Sequence, residues 1–124
     1  MNFKIHIFCE TNCFYNLIKK TFTKDSYSFN YSEIKGKNSK SIIKEINYTP
    51  DCIIVDKDIE EYFKVEIIKK YSDTKIILLP ALNEFEQKAN PKNVIQISEP
   101  FKLSELGEVL KEIYITKQSE ASTI

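Results

Sequence analysis

The chain has 124 residues, close to the commonest size of one domain, and 42% of them are apolar, which is enough for one hydrophobic core. Eighteen Lys and Arg residues balance eighteen Asp and Glu residues, so the sequence lacks the net positive charge typical of proteins that bind nucleic acids or anionic membranes. The first apolar stretch, residues 3–9, is too short to cross a bilayer and is followed by no signal-peptide cleavage pattern. We therefore expect one cytoplasmic domain with neither a nucleic-acid nor a membrane partner.

The first half of the chain predicts strand, helix, strand and helix in turn. Residues 3–9 form an apolar run typical of a strand, and Thr11 or Asn12 suits the start of a helix whose apolar residues recur at helical spacing. Residues 27–34 alternate between aromatic and polar side chains, which predicts a second strand. Three isoleucines then mark one side of a helix over residues 38–46.

The second half continues this alternation. Residues 52–55 form a continuous apolar run, which is typical of a parallel strand covered on both faces. The next elements are a helix at 59–71, a strand at 75–79, a short helix between Pro80 and Pro91, a strand at 94–97 and a helix at 104–115. The polar residues 117–124 predict a frayed tail, so we assign residues 1–116 to the domain.

Five strands alternating with five helices predict an α/β fold, a three-layer α/β/α sandwich around a parallel sheet. The flavodoxin-like strand order 2-1-3-4-5 fits best. In that order the carboxyl ends of the first and third strands meet at the point where the order reverses, where ligands bind in such sheets. Cys9, Glu10, Asp56 and the loop after Pro80 should gather there.

Three stretches of the chain carry recognisable motifs. Residues 50–56 read Pro-Asp, four apolar residues and Asp, residues 76–81 read Ile-Ile-Leu-Leu-Pro-Ala, and residues 99–101 read Glu-Pro-Phe. In order and spacing they resemble the third strand, the fourth strand and the entry to the last helix of the response-regulator receiver domain of bacterial two-component systems. The resemblance covers residues 3 to about 115, and it implies a signalling domain rather than an enzyme.

The resemblance implies roles for three residues around the reversal point. Asp56 matches the carboxylate that accepts the phosphoryl group as a nucleophile. Glu10 matches the second of two acidic residues that help to hold Mg²⁺, and its carboxylate is a suitable hard oxygen ligand. Cys9 takes the place of the first acidic residue, and a thiol is a poor ligand for Mg²⁺.

Three further positions depart from the family pattern. Pro80 stands where the family has a Ser or Thr whose hydroxyl contacts the phosphoryl group, and proline offers neither that hydroxyl nor an N–H. Glu99 replaces a Lys that pairs with the phosphoryl group, so repulsion replaces attraction. Gln96 replaces the aromatic residue whose rotation reports phosphorylation to partners. The phosphorylation site is therefore only partly present.

The residues next to Asp56 leave alternatives open. Glu10 and Glu99 would raise the pKa of Asp56 if they lie close to it without a cation between them. Lys57 could restore positive charge, although a solvated loop lysine is the simpler interpretation. Asp58 is either an additional metal ligand or, more simply, an N-cap of the next helix.

The cysteines and the single histidine offer weaker candidates. Cys52 lies in an apolar run and should belong to the core. Cys9 and Cys13 flank a strand-to-helix turn, where a helix N-terminus can lower a thiol pKa, but apolar filling or incidental exposure explains them more simply. His6 lies inside the first strand and should be packed rather than act as a base.

The sequence thus leaves two function hypotheses. The first is a degenerate receiver that binds a protein partner, such as a histidine kinase, an output domain or a second copy of itself, with no required cofactor. The second is a receiver that accepts a phosphoryl group on Asp56, with Mg²⁺ at Glu10 and Asp56. A flavin carrier of flavodoxin type is a minor alternative, and nucleotide-binding proteins of this architecture are disfavoured because the chain has just two glycines.

Overall fold

A computed structural model describes most of the chain. The described residues are 3–23, 26–34, 42–44, 46–56, 59–79, 92–97 and 102–122, the last four by their backbone alone. Within them the strands are β1 (Phe3–Cys9), β2 (Tyr27–Glu33), β3 (Cys52–Val55), β4 (Lys75–Leu78) and β5 (Val94–Gln96). The helices are α1 (Asn12–Thr21), α2 (Glu61–Lys70) and α3 (Leu103–Ser122), and residues 42–44 are also helical.

The five strands form one parallel sheet in the order β2-β1-β3-β4-β5, which confirms the predicted flavodoxin-like order. β3 is buried along its whole length, as its continuous apolar run predicted. The helix predicted between Pro80 and Pro91 lies outside the described residues. None of the helices in the described part of the chain is long and apolar enough to cross a membrane.

Two hydrophobic clusters cover the two faces of the sheet, which gives the predicted three layers. On one face, alternate residues of β1 such as Ile5 and Ile7 pack with residues of α1 and α3. On the other face, Phe8 of β1 and Ile53 and Val55 of β3 pack with α2. Phe63 and Ile67 of that helix are fully buried. Successive side chains of a strand point to opposite faces, so one apolar run supplies both clusters.

The C-terminal segment differs from the prediction. The sequence suggested a frayed tail over 117–124, but α3 continues to Ser122. No Gly or Pro interrupts the chain after Gly107, and the Thr116 hydroxyl donates a hydrogen bond to the Glu112 carbonyl at 2.9 Å. Lys117 also pairs with Asp51 at 3.6 Å, so the last turns of α3 contact the start of β3. Asp51 in turn accepts a hydrogen bond from the Lys4 N–H at 2.9 Å.

Candidate functional site

The carboxyl ends of β1 and β3 lie side by side, as the strand order requires. Phe8 and Val55 are partners in the register of the two strands, and the Asp56 N–H donates a hydrogen bond to the Phe8 carbonyl at 3.0 Å. The Asp56 carbonyl accepts a bond from the Ile59 N–H at 3.3 Å, just before α2. The backbone therefore holds Asp56, which is half-buried, at the reversal point of the sheet.

Glu33 is a further carboxylate at the carboxyl ends of the strands, and the sequence-based prediction missed it. Glu33, the last residue of β2, is the register partner of Cys9 and is half-buried. The Ile34 N–H donates a bond to the Cys9 carbonyl at 2.8 Å, which fixes the end of β2 beside the end of β1. Glu10, the predicted metal ligand, follows β1 and is exposed. The predicted strand order 2-1-3 could have identified Glu33, because it places the last residue of β2 next to Cys9.

Cys9 lies between Asp56 and Glu33, and its thiol does not ionise readily. The side chain is fully buried. Burial, followed by the negative charges of Asp56 and Glu33, raises the pKa of the Cys9 thiol to about 12. The helix N-terminus therefore does not lower the pKa of Cys9, which is a neutral thiol at physiological pH and fits the simpler interpretation of apolar filling.

The other two cysteines fit their simplest interpretations. Cys52 is fully buried in the cluster under α1 and α3, and burial raises the pKa of its thiol. Cys13 is exposed in the first turn of α1. None of the three takes part in a disulfide bond. The sequence-based expectation that Cys52 belongs to the core is confirmed.

The described residues around Cys9 fit a divalent cation poorly. A protonated thiol at Cys9 offers no hard oxygen, whereas Mg²⁺ binds carboxylate and carbonyl oxygens. Among the described residues no three Asp, Glu, His or Cys side chains are grouped so that they could hold a metal ion. Asp56 and Glu10 are the two carboxylates that the sequence assigned to such a site.

The remaining family positions fall in two classes. Gln96 is the last residue of β5, exposed, and the register partner of Leu78 at the end of β4. Pro80 and Glu99 lie outside the described residues, as do Lys57 and Asp58. The predicted losses of the hydroxyl and the lysine therefore stay as sequence-based predictions.

His6 is the centre of a polar network on the α2 face of the sheet. It is 4% exposed, its Nδ1 lies 2.7 Å from the Tyr48 hydroxyl, and its Nε2 lies 2.8 Å from the Ser32 hydroxyl. Burial lowers the pKa of His6 to about 4, so the ring is neutral at pH 7. The prediction that His6 is packed is confirmed, and its two ring nitrogens join β1 to β2 and to the segment before β3.

Solved structures share this fold, although no protein-family model matches the sequence and no curated protein matches it either. The response regulator TrrA from Thermotoga maritima, in complex with Mg²⁺-BeF, gives a TM-score of 0.65 at 24% identity over 91% of this chain and 99% of TrrA. The complex of TrrA with the histidine kinase ThkA gives 0.66 at 22% identity over 91% of this chain and 98% of that chain. An adenylate cyclase from Rhodopirellula baltica gives 0.70 at 14% identity over 98% of this chain and 97% of that chain. With identities below 25%, these similarities establish the receiver fold.

Proposed function

We propose that the chain is an atypical receiver-like signalling domain of a bacterial two-component response regulator, and that it acts mainly by binding protein partners. The observation that carries this proposal is the buried, protonated thiol of Cys9 beside Asp56. In the family that the sequence resembles, an acidic residue at this position helps to hold Mg²⁺ against the phosphoryl group. Without that residue, phosphorylation of Asp56 would add negative charge on one side of Cys9, with Glu33 on the other side, and a compensating metal ion would have one oxygen ligand fewer.

The resemblance suggests the candidate partner classes, and one structural neighbour supports one of them. TrrA was crystallised with the histidine kinase ThkA, and a histidine kinase is a candidate partner for this chain as well. An output domain or a second copy of the chain are the other candidates. The resemblance places the usual contact surface on the fourth helix, the fifth strand and the last helix, of which β5 and α3 are described here. Ile115 on α3 is 50% exposed and suits such a contact.

The second candidate function is a phosphorylatable receiver. Asp56 is half-buried rather than sealed in the core, and it lies at the edge of the sheet where ligands bind in open α/β folds. TrrA, with the same fold, was crystallised in complex with Mg²⁺-BeF. This candidate requires that Glu10 and Asp56 hold Mg²⁺ without an acidic residue at position 9.

One experiment separates the two candidates. The protein is incubated with Mg²⁺ and acetyl phosphate, and in parallel with Mg²⁺ and beryllofluoride, and adducts are measured by intact mass spectrometry and ¹⁹F NMR. We expect no stoichiometric adduct. A stoichiometric adduct that Asp56→Asn abolishes, and that the exposed control Asp73→Asn retains, would establish the second candidate. If the predicted losses at Pro80 and Glu99 disable the site together with Cys9, a variant with Cys9→Asp, Pro80→Thr and Glu99→Lys should gain the adduct.

A further inference from the structure

β2 lies at one end of the strand order and is therefore an edge strand of the sheet. Within the described residues β2 pairs with β1 alone. The Phe3 N–H donates to the Ser26 carbonyl and the Ile34 N–H donates to the Cys9 carbonyl, so the even-numbered residues of β2 direct their backbone groups towards β1. Backbone groups alternate in direction along a strand. The N–H and C=O of Phe29 and of Tyr31 therefore face outwards.

The composition of β2 lacks the features that usually protect an edge strand. Natural edge strands carry Lys or Pro, are very short, or are interrupted by bulges, because open backbone groups invite pairing with another chain. β2 has seven residues and contains no Lys, Arg or Pro, and its carboxylate is confined to the last residue. The Tyr31 side chain is 38% exposed beside this edge.

The sequence of β2 is complementary to itself in one antiparallel register. The strand reads Tyr-Ser-Phe-Asn-Tyr-Ser-Glu and is centred on Asn30. About a two-fold axis at Asn30, Phe29 faces Tyr31 of the second copy, Ser28 faces Ser32, and Asn30 faces itself. Aromatic pairs and hydroxyl or amide pairs in directly opposed positions stabilise antiparallel strands, whereas like charges destabilise them. In this register no two like charges face each other.

We propose that two copies of the chain associate through antiparallel pairing of their β2 strands, which joins the two sheets into one. Phe29 and Tyr31 of the two copies would form about four backbone hydrogen bonds, two for each of the two facing pairs. This interface lies at the opposite edge of the sheet from β5. The proposal does not depend on Asp56, so it holds for either candidate function.

In the monomer, Tyr15 of α1 contacts the outer side of β2. Its hydroxyl donates a hydrogen bond to the Phe29 carbonyl at 3.3 Å, and its ring stacks on Tyr31 with 4.2 Å between ring centroids. A hydroxyl donor normally lies about 2.7–2.8 Å from its acceptor, so this bond is long and weak. It occupies the acceptor that an N–H of the second copy would use. Removing the hydroxyl should therefore strengthen the association while leaving the aromatic stack in place.

The test measures self-association by sedimentation velocity over a range of protein concentrations, at low and high salt. Asn30→Asp keeps the side-chain shape but sets two carboxylates opposite each other at the two-fold axis. We expect it to weaken association about tenfold at low salt, with part of the loss recovered at high salt. Asn16→Asp, which adds the same charge at an exposed position of α1, should leave association unchanged.

A second variant tests the same surface in the opposite direction. Tyr15→Phe should tighten association, an outcome that loss of folding cannot produce, and circular dichroism checks that each variant is folded. The proposal would be overturned if both the wild type and the Tyr15→Phe variant stay monomeric at millimolar concentration. A dimer that Asn30→Asp leaves intact would also overturn it. If Ile115→Lys then dissociates that dimer, the interface lies on α3 and not on β2.

Discussion

Lowering the pH should destabilise the protein through its single histidine. Burial lowers the pKa of His6 to about 4, against about 6.5 in an unfolded chain. Well above pH 6.5 the ring is neutral in both states and has no effect on the pH dependence of stability. Between pH 6.5 and pH 4 the unfolded chain gains a proton that the folded protein does not, so stability falls with pH. The full loss is about 3 kcal/mol, and about 2 kcal/mol of it occurs between pH 7.5 and pH 5.

Urea unfolding at a series of pH values measures this loss. His6→Gln is the matched control, because it keeps a polar side chain near Ser32 and Tyr48 but cannot titrate. The carboxylates contribute equally to both proteins, so the wild-type stability should fall about 2 kcal/mol more than that of the variant between pH 7.5 and pH 5. The chain has one histidine, so its ring proton signals also report the pKa directly by NMR. Equal pH dependence of the two proteins, or a native midpoint near pH 6.5, would refute the reasoning.

Three further predictions concern packing and accessibility. A thiol reagent should modify Cys13 rapidly in the native protein and the other two cysteines only on unfolding, and rapid modification of a second thiol would contradict the buried positions. Gly107→Ala should destabilise by about 1 kcal/mol despite its better helix propensity, because the new Cβ would lie 2.8 Å from Cε1 of Phe22. A gain in stability would show that the ring simply moves, and Phe22→Leu should remove the penalty. Asp51→Ala should cost about 1 kcal/mol or more in urea unfolding, against about 0.5 kcal/mol or less for Lys117→Ala, since the aspartate also accepts the Lys4 N–H. Equal losses would assign the effect to the ion pair alone.

The sheet could be predicted from the sequence because its central strands leave little choice. The apolar run Cys52–Val55 has no polar face, so it has to lie inside a sheet with helices on both sides. Asp56 then has to follow at the carboxyl end. The same reasoning placed Cys9 beside it, because β1 is the neighbour of β3 in the predicted order.

Properties that depend on distances across the sheet could not be predicted. Glu33 reads in the sequence as a polar residue at the end of a strand, and its role beside Cys9 appears only with the register of β1 and β2. Burial and two carboxylates raise the pKa of Cys9, whereas a nearby helix N-terminus would lower it. Of these effects, the sequence shows only the helix N-terminus. The polar residues after 116 likewise gave no sign of the contact between Lys117 and Asp51.

The thiol at position 9 removes a repulsion that an acidic side chain would create in the absence of metal. Position 9 is fully buried and lies next to Asp56 and Glu33, so an ionised carboxylate there would be repelled by both unless a cation were bound. Cys9→Asp should therefore lower the free energy of unfolding by about 2–3 kcal/mol in the absence of divalent ions. Millimolar Mg²⁺ should recover part of this loss by binding the folded state, whereas NaCl of equal ionic strength should not.

Thermal unfolding of the wild type and Cys9→Asp, each with and without Mg²⁺, measures both effects. The wild type should respond to Mg²⁺ no more than to NaCl, because its neutral thiol neither needs nor holds the ion. Equal stabilisation of both proteins by Mg²⁺ would mean that Glu10 and Asp56 suffice as ligands and would favour a phosphorylatable receiver. A Cys9→Asp variant as stable as the wild type without Mg²⁺ would mean that the carboxylates are farther from position 9 than their effect on the Cys9 pKa indicates.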